Sequence, residues 1–518
     1  MQSQTTQISQ RKTETIMNHD RPQLRTSAWA ATIASAVAAL GLAGCVNYAG
    51  IKSDKQIAPP TQYETKESLP AEGGQWPAMD WAKQFGDAQL PRLIDEALAG
   101  NPTIDQARAR IEKASASVGT AHSALYPNVT GSYSWTRERY SDNGSAPPPV
   151  NGTWQSENNV LASASFDLDL WGKNRERLRQ SVSQEKVAEA EAEQVRISLA
   201  ASVASTYNHL AQLYALRDIE AREVKNREDI GRITDGRVGA GLDTNVERQT
   251  AYGETATSRT SVSDLDGQIT TVRYQLGALL GEGPDGGLKI ANPSLGEGAS
   301  VALPDNLPAD LISRRPDIVA AYWQVDGAIH DVKEKKAEFF PDVNLSASAA
   351  LDAFGWGRFL TAGSGQLQAG PAIHLPIFDA GALRAQLKGR YADFDYDVAT
   401  YNQTLISALS DVATQVTQIH SADRQLVDAQ QALDAQTKAY QLALVRYKAG
   451  LNQQLQVLNA DDNRLAAETA VVNLEMNRRG MQIGLIKALG GGFDASQAGL
   501  AADTETPIPA PSGSTATH

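Results

Sequence analysis

Cysteine is almost missing from this chain: Cys45 is the only one in 518 residues, so no internal disulfide can form. Histidine is sparse and scattered. His19, His122, His209, His330, His374, His420 and His518 include no H-E-x-x-H and no paired-ligand spacing. There is no G-x-S-x-G either, so the chain offers no catalytic set and is expected not to be an enzyme. Long hydrophobic runs are absent; the apolar run from Ala28 to Ala43, broken by Thr32 and Ser35, is short for a membrane-spanning helix. Basic patches are absent too. The net charge is −13, and no basic cluster interleaved with aromatics occurs, which disfavours nucleic acid as a partner. Proline is missing between Lys173 and Gly283 and again between Phe378 and Glu505, leaving two very long spans free to be helical.

Residues 1–44 read as a secretory leader. Arg21 and Arg25 flank the apolar run, and Leu42-Ala43-Gly44 places small residues before Cys45. Met17 is a candidate start, because residues 1–16 are polar and add nothing to the leader. Leu42-Ala43-Gly44-Cys45 resembles the bacterial lipobox, which implies an acylated Cys45 as the mature N-terminus. Val46 in place of aspartate implies sorting to the outer membrane. Several acyl chains anchor stably where one does not. No cofactor is expected beyond this covalent lipid.

The rest of the chain is written twice. Tyr126-Pro127-Asn128-Val129 returns as Phe340-Pro341-Asp342-Val343, Ala240-Gly241-Leu242-Asp243 as Ala449-Gly450-Leu451-Asn452, and Ala278-Leu279-Leu280-Gly281 as Lys487-Ala488-Leu489-Gly490. Helices break at Asn101-Pro102 and again at Arg315-Pro316, where the residue before proline is pushed out of the helical region. The divisions are an extended, lipid-anchored segment over 45–80, a first repeat over 81–290, a second over 291–492, and a disordered Ala/Thr/Pro/Ser-rich tail over 493–518.

Each repeat predicts two strands and a helical hairpin. Val129, Gly131, Tyr133 and Trp135 alternate with Thr130, Ser132, Ser134 and Thr136; similar alternation runs over 160–170, 343–352 and 366–377. Four such segments are near the length that a tilted strand needs to cross a bilayer, although a half-buried soluble sheet alternates in the same way. The hairpins turn at glycine-rich tips, 236–243 and 450–452, after rods of roughly 90–100 Å at about 1.5 Å per residue. Leu405, Leu409, Val412, Val416 and Ile419 recur at coiled-coil spacing. These helices carry too many charges to lie in lipid and are expected to project into water.

Four transmembrane strands cannot close a barrel, and open edges in hydrocarbon would leave unpaired backbone groups. Several chains would therefore share one: two would give eight strands and a filled interior, three would give twelve and room for a path. At this point the chain resembles the outer membrane factors of tripartite export systems, the TolC-like group, in its NodT/OprM lipoprotein branch. The resemblance rests on Leu307-Pro308-Ala309-Asp310-Leu311-Ile312, Arg314-Arg315-Pro316-Asp317-Ile318, Phe340-Pro341, Arg446-Tyr447-Lys448-Ala449-Gly450 and Val457-Leu458-Asn459-Ala460. It implies an α+β membrane protein: a homotrimer sharing a twelve-strand barrel, with a long α-helical tunnel in the periplasm. It further implies a periplasmic membrane-fusion adaptor and an inner-membrane pump, commonly of the resistance-nodulation-division class, as partners in efflux. A non-conducting, lipid-anchored coiled-coil scaffold is the competing reading; it leaves the four symmetric strands unexplained. Substrate identity is not legible, and five methionines give no sign of a Met-lined metal route.

In the related lipoproteins an aspartate follows the second Gly-hydrophobic turn, and a tyrosine lies three helical turns upstream. The matching residues are Asn452 and Tyr440. Tyr440 fits; Asn452 loses the charge, which puts a charge-based gate in doubt and leaves Asp243 as a candidate source of acidity. The tips, Gly239, Gly241, Leu242 and Thr244 with Gly450, Leu451 and Gln453, are expected to meet the adaptor. Pro127, Pro341 and Pro316 mark structural junctions. Trp135, Trp154, Trp171, Tyr133 and Phe354 are candidates for membrane-interface aromatics.

Overall fold

The computed structural model describes residues 47–59, 62–70, 72–296, 303–304 and 307–501. Cys45 and the whole leader lie outside the described residues, as does the tail from residue 502. A 3-10 turn at Trp81–Phe85 leads into α1 (Gln89–Gly100) and α2 (Pro102–Ser123), followed by β1 (Asn128–Arg139) and β2 (Trp154–Asp167). The first hairpin is α3 (Lys173–Gly239) and α4 (Asn245–Leu279), and a short α5 (Pro284–Leu288) ends the repeat. The second repeat runs through α6 (Leu307–Arg314), α7 (Pro316–Ala337), β3 (Asp342–Phe354), β4 (Gly365–His374), α8 (Ala382–Lys448) and α9 (Gln454–Ala488). The two long helices are 67 residues each and their returning partners 35 each. Among the described residues, no helix is long and apolar enough to cross a membrane.

The helix breaks at Pro102 and Pro316 also form docking sites. In the first copy Asn101 caps α2 through its side chain and donates from Nδ2 to the Leu279 carbonyl, 2.8 Å away at the end of α4. In the second, Arg315 donates from Nη1 to the Ala488 carbonyl, 3.1 Å away at the end of α9. The glycine after each returning helix is what permits this. Gly281 and Gly490 have φ of +77° and +88°, and a Cβ on either would sit 2.2 Å from the Gly100 carbonyl oxygen or 1.8 Å from that of Arg314. The repeated Leu-Gly endings and Asn/Arg-Pro breaks therefore belong to one contact, made twice.

The four strands form a single antiparallel sheet in the order β1-β2-β3-β4, so β2–β3 pairing joins the two repeats. The second and fourth strands end earlier than the alternation suggests, at Asp167 and His374, and beyond each end an aspartate gathers the backbone amides of the next helix. Asp169 accepts the amides of Asn174 (2.9 Å) and Arg175 (3.1 Å), and Asp379 those of Gly381 (2.9 Å) and Leu383 (2.6 Å), starting both long helices.

Core packing lies among the helices. Leu311, Ile318, Val325, Leu405 and Val412 pack together in the second repeat, while Leu90, Val203, Tyr207, Leu210 and Leu276 do so in the first. Disorder expected from Phe493 does not hold for residues 493–501: Phe493, Ala495 and Leu500 are buried against Val187, Ile197, Val319 and Ala320. Three apolar residues spaced along a polar segment fill a slot between α3 and α7, which composition cannot reveal. The first hairpin tip also differs from expectation: α3 continues through Gly236 to Gly239, so the turn proper is 240–244.

Candidate functional site

The sheet has two unlike faces and two open edges. Val129, Ala164, Ala347 and Ala369 form one cross-strand row, and Thr130, Ser163, Ser348 and Gln368 the next. Side chains alternate across the pleat, so the first row lies on an apolar face and the second on a polar one. Thr130 and Ser163 hydrogen-bond across the polar face at 2.9 Å. β1 and β4 are exposed along their entire lengths, and each pairs on one side only. Leu367 is 88% exposed and Ile373 70%, values that an isolated soluble sheet does not sustain across a whole face.

Aromatics gather at the strand ends. Trp171 stacks on Phe340 at 4.6 Å, and its indole Nε1 donates to the Pro341 carbonyl at 2.8 Å. Trp135 and Trp154 are exposed, Tyr133 lies beside Phe359, and Phe354 meets Tyr140 edge-on. Pro127 directly precedes β1 and Pro341 precedes β3, while Pro316 opens α7. All three prolines stand where a missing amide donor costs nothing.

At the hairpin tips, Gly241 and Gly450 take φ of +75° and +73°, the left-handed turn that ends each long helix. Thr244 and Glu247 close a capping box at the start of α4. Leu242 and Leu451 are exposed; Gln453 is the N-cap of α9. Asp243 does not project freely. It takes a two-point ion pair from Arg237 at 2.7 and 3.0 Å and accepts the Tyr447 hydroxyl at 2.8 Å. The Arg237 guanidinium holds the Asp243 carboxyl below its usual range, and Asp243 in turn raises Arg237. Arg237 also lies over the Tyr447 ring at 4.5 Å and donates to the Tyr447 carbonyl at 3.1 Å. Tyr447 is fully buried, sharing a 3.0 Å hydrogen bond with Thr234, to which Gln454 donates at 2.9 Å.

Asn452 donates to the Ala443 carbonyl at 3.4 Å, and its buried Oδ1 has no partner. Tyr440 lies farther up α8 beneath the Arg464 guanidinium, 5.2 Å from the ring, and burial pushes its hydroxyl up to about 12. The structure thus brings Asp243 to Tyr447 rather than to Tyr440 or Asn452. Arg237, Thr234 and Gln454 carry no sequence signal of their own; Tyr447 stands in the Arg-Tyr-Lys-Ala-Gly stretch and was the one traceable member.

A family model described as outer membrane efflux protein matches residues 93–282 and 307–491. The fusaric acid resistance protein FusA of Burkholderia cepacia is 33% identical over 69% of this chain and 68% of its own. The multidrug resistance outer membrane protein MdtP of Escherichia coli is 28% identical over 88% of this chain and 94% of its own. The solved structure of the outer membrane protein VceC from Vibrio cholerae superposes with a TM-score of 0.75 at 31% identity, covering 81% of this chain and all of that one. With both halves of the duplicated body matched, the chain belongs to the outer membrane efflux protein family.

Proposed function

We propose that this protein is the passive outer-membrane exit duct of a tripartite efflux system, used by drugs or other small toxic compounds. The observation that carries this reading is the four-stranded sheet with one apolar face, one small polar face and both edges unpaired. Lipid can cover the apolar face but cannot satisfy backbone edges. Pairing β4 of one copy with β1 of the next satisfies them, and three copies make a twelve-strand barrel with its polar face inward. The 67-residue helices then extend about 100 Å from the barrel as a periplasmic tunnel.

In this duct Gly241, Leu242, Gly450 and Leu451 stand at the far end of the tunnel, where a periplasmic adaptor delivers cargo from an inner-membrane pump, in our reading one of the resistance-nodulation-division class. Asp243, Tyr440 and Asn452 narrow that end, with Asp243 acting through Arg237 and Tyr447 rather than as an open charge. Acyl chains on Cys45 anchor the N-terminus. Resistance and multidrug names among the relatives support small-molecule cargo. The test is conductance of the purified full-length protein in planar bilayers: discrete channel openings support the duct, and a silent protein that is nevertheless folded rejects it in favour of the scaffold.

A further inference from the structure

About 20 Å back from the tips, α3 and α9 are joined by charges that have left water. The Glu223 and Asp461 side chains are completely buried, and that of Arg227 is nearly so. Arg464 Nη2 donates to both Glu223 Oε2 and Asp461 Oδ1 at 2.7 Å, while Arg227 Nε donates to Glu223 Oε1 at 2.6 Å. Arg227 reaches Asp461 Oδ2 only at 3.8 Å, too far for a hydrogen bond. Asp461 Oδ2 and Arg227 Nη1 are both buried without a hydrogen-bond partner, the latter with Glu254 3.7 Å away. Two carboxyls thus meet in a dry interface whose cations satisfy one of them fully and the other by half.

The rest of the α3–α9 seam is different. Farther from the tips it holds no buried carboxyl among the described residues: Asn208 donates to the Met476 carbonyl at 2.9 Å and accepts from Arg479 at 3.2 Å, and Gln212 donates to Asn473 at 2.7 Å. Around Asp461 stand Glu220, Arg222, Glu223 and Arg227 from α3, Asp462, Arg464 and Glu468 from α9, Tyr440 from α8 and Glu254 from α4. Arg222 pairs with Glu468, and Arg227 with Asp462. The surplus charge therefore falls on the Asp461–Glu223 pair.

We infer that this carboxyl pair is a proton-operated latch between the two hairpins, closed when one proton is shared and loosened when both groups are ionised. The inference concerns the wall of the proposed duct and rests on that reading only for its effect on opening. With the proton present, the Asp461 hydroxyl supplies the donor that Glu223 accepts, and no second buried anion exists. Without it, two anions share a water-free contact, and separating α3 from α9 lets Asp461 be hydrated.

Burial first, and then the Glu223 carboxylate, push Asp461 up to about 7. Separated from α3, it would return towards the ordinary value of about 3.9. The packed form therefore binds the proton more tightly, and acid favours it. Its advantage over the separated form falls by about tenfold per pH unit as pH rises from about 4 towards 7, and is constant above.

The test places spin labels at Lys225→Cys on α3 and Ala466→Cys on α9 in the full-length protein and measures their separation by pulsed dipolar spectroscopy, with single-cysteine proteins as background. We expect the distance distribution to lengthen or broaden as pH rises from about 4 towards about 7, and to change no further above that. Asp461→Asn should hold the acid-form distribution at every pH, and Glu223→Gln should move the midpoint down by about one unit or more. A distribution that ignores pH, or one that titrates unchanged in Asp461→Asn, overturns the latch. If Asp461→Asn does not fold, an unmoved midpoint in Glu223→Gln overturns it equally. Loss of the oligomer in native mass spectrometry would instead reject the shared-barrel reading while leaving the distance test intact.

Discussion

The Tyr447 hydroxyl donates to Asp243 at 2.8 Å, joining the end of the second long helix to the turn of the first across 204 residues of sequence. Because Asp243 is already held by Arg237 from its own hairpin, the contact ties both tips through one carboxylate.

Removing that tie should favour separation of the tips. Tyr447→Phe deletes a hydrogen bond to a charged acceptor, worth about 1.5 to 3 kcal/mol, which corresponds to a roughly tenfold or greater rise in open-state occupancy. Asp243→Ala should have the larger effect, since it also strips Arg237 of its counter-ion. Single-channel recording of both variants checks the order. The tie should be indifferent to pH between about 5 and 8. Asp243 is lowered by Arg237, so its contribution is complete above the ordinary carboxylate value of about 3.9 and is lost only as pH falls below it. Opening that changes between about pH 5 and 7 in wild type but not in Asp461→Asn would thus be traced to α3–α9 and not to the tips.

The glycines that end the returning helices are not interchangeable with those at the tips. Gly490→Ala places a methyl 1.8 Å from the Arg314 carbonyl oxygen in a left-handed backbone and should cost about 2 to 4 kcal/mol. Gly241→Ala meets nothing within 4 Å and should cost only the conformational strain, about 1 to 2 kcal/mol. Thermal unfolding of both variants in the same detergent should rank Gly490→Ala clearly lower.

Phe493 is 3% exposed in the slot between α3 and α7. Phe493→Ala should destabilise the helical body by about 3 to 5 kcal/mol without altering conductance of the molecules that fold. A melting temperature equal to wild type would show that the slot is not a packing site.

What the sequence disclosed follows from how local each signal is. Proline at 102 and 316, and alternation around Val129 and Val343, act on their own segments, so breaks and strands were readable in place. The family stretches around Arg315 and Tyr447 were readable as well, though not what either side chain does. Arg315 serves the Ala488 carbonyl and Tyr447 serves Asp243, partners set by the packing of one repeat against distant chain. Nothing in the sequence marks Asp461 or Glu223 as buried, since helix charge alone does not reveal which face meets another helix. The Phe493 segment reads as disordered because its apolar residues are few, and only a preformed slot makes them sufficient. Gly236 resembled part of a turn, but a long helix with tertiary support absorbs a glycine at a cost of about 1 kcal/mol.

The most direct test of the shared barrel is native mass spectrometry of the full-length protein released from outer membranes in mild detergent. Our account predicts a trimer, each subunit beginning at Cys45 and carrying added acyl mass. A folded monomer that survives gentle extraction would contradict it, because one chain alone leaves β1 and β4 unpaired in the membrane.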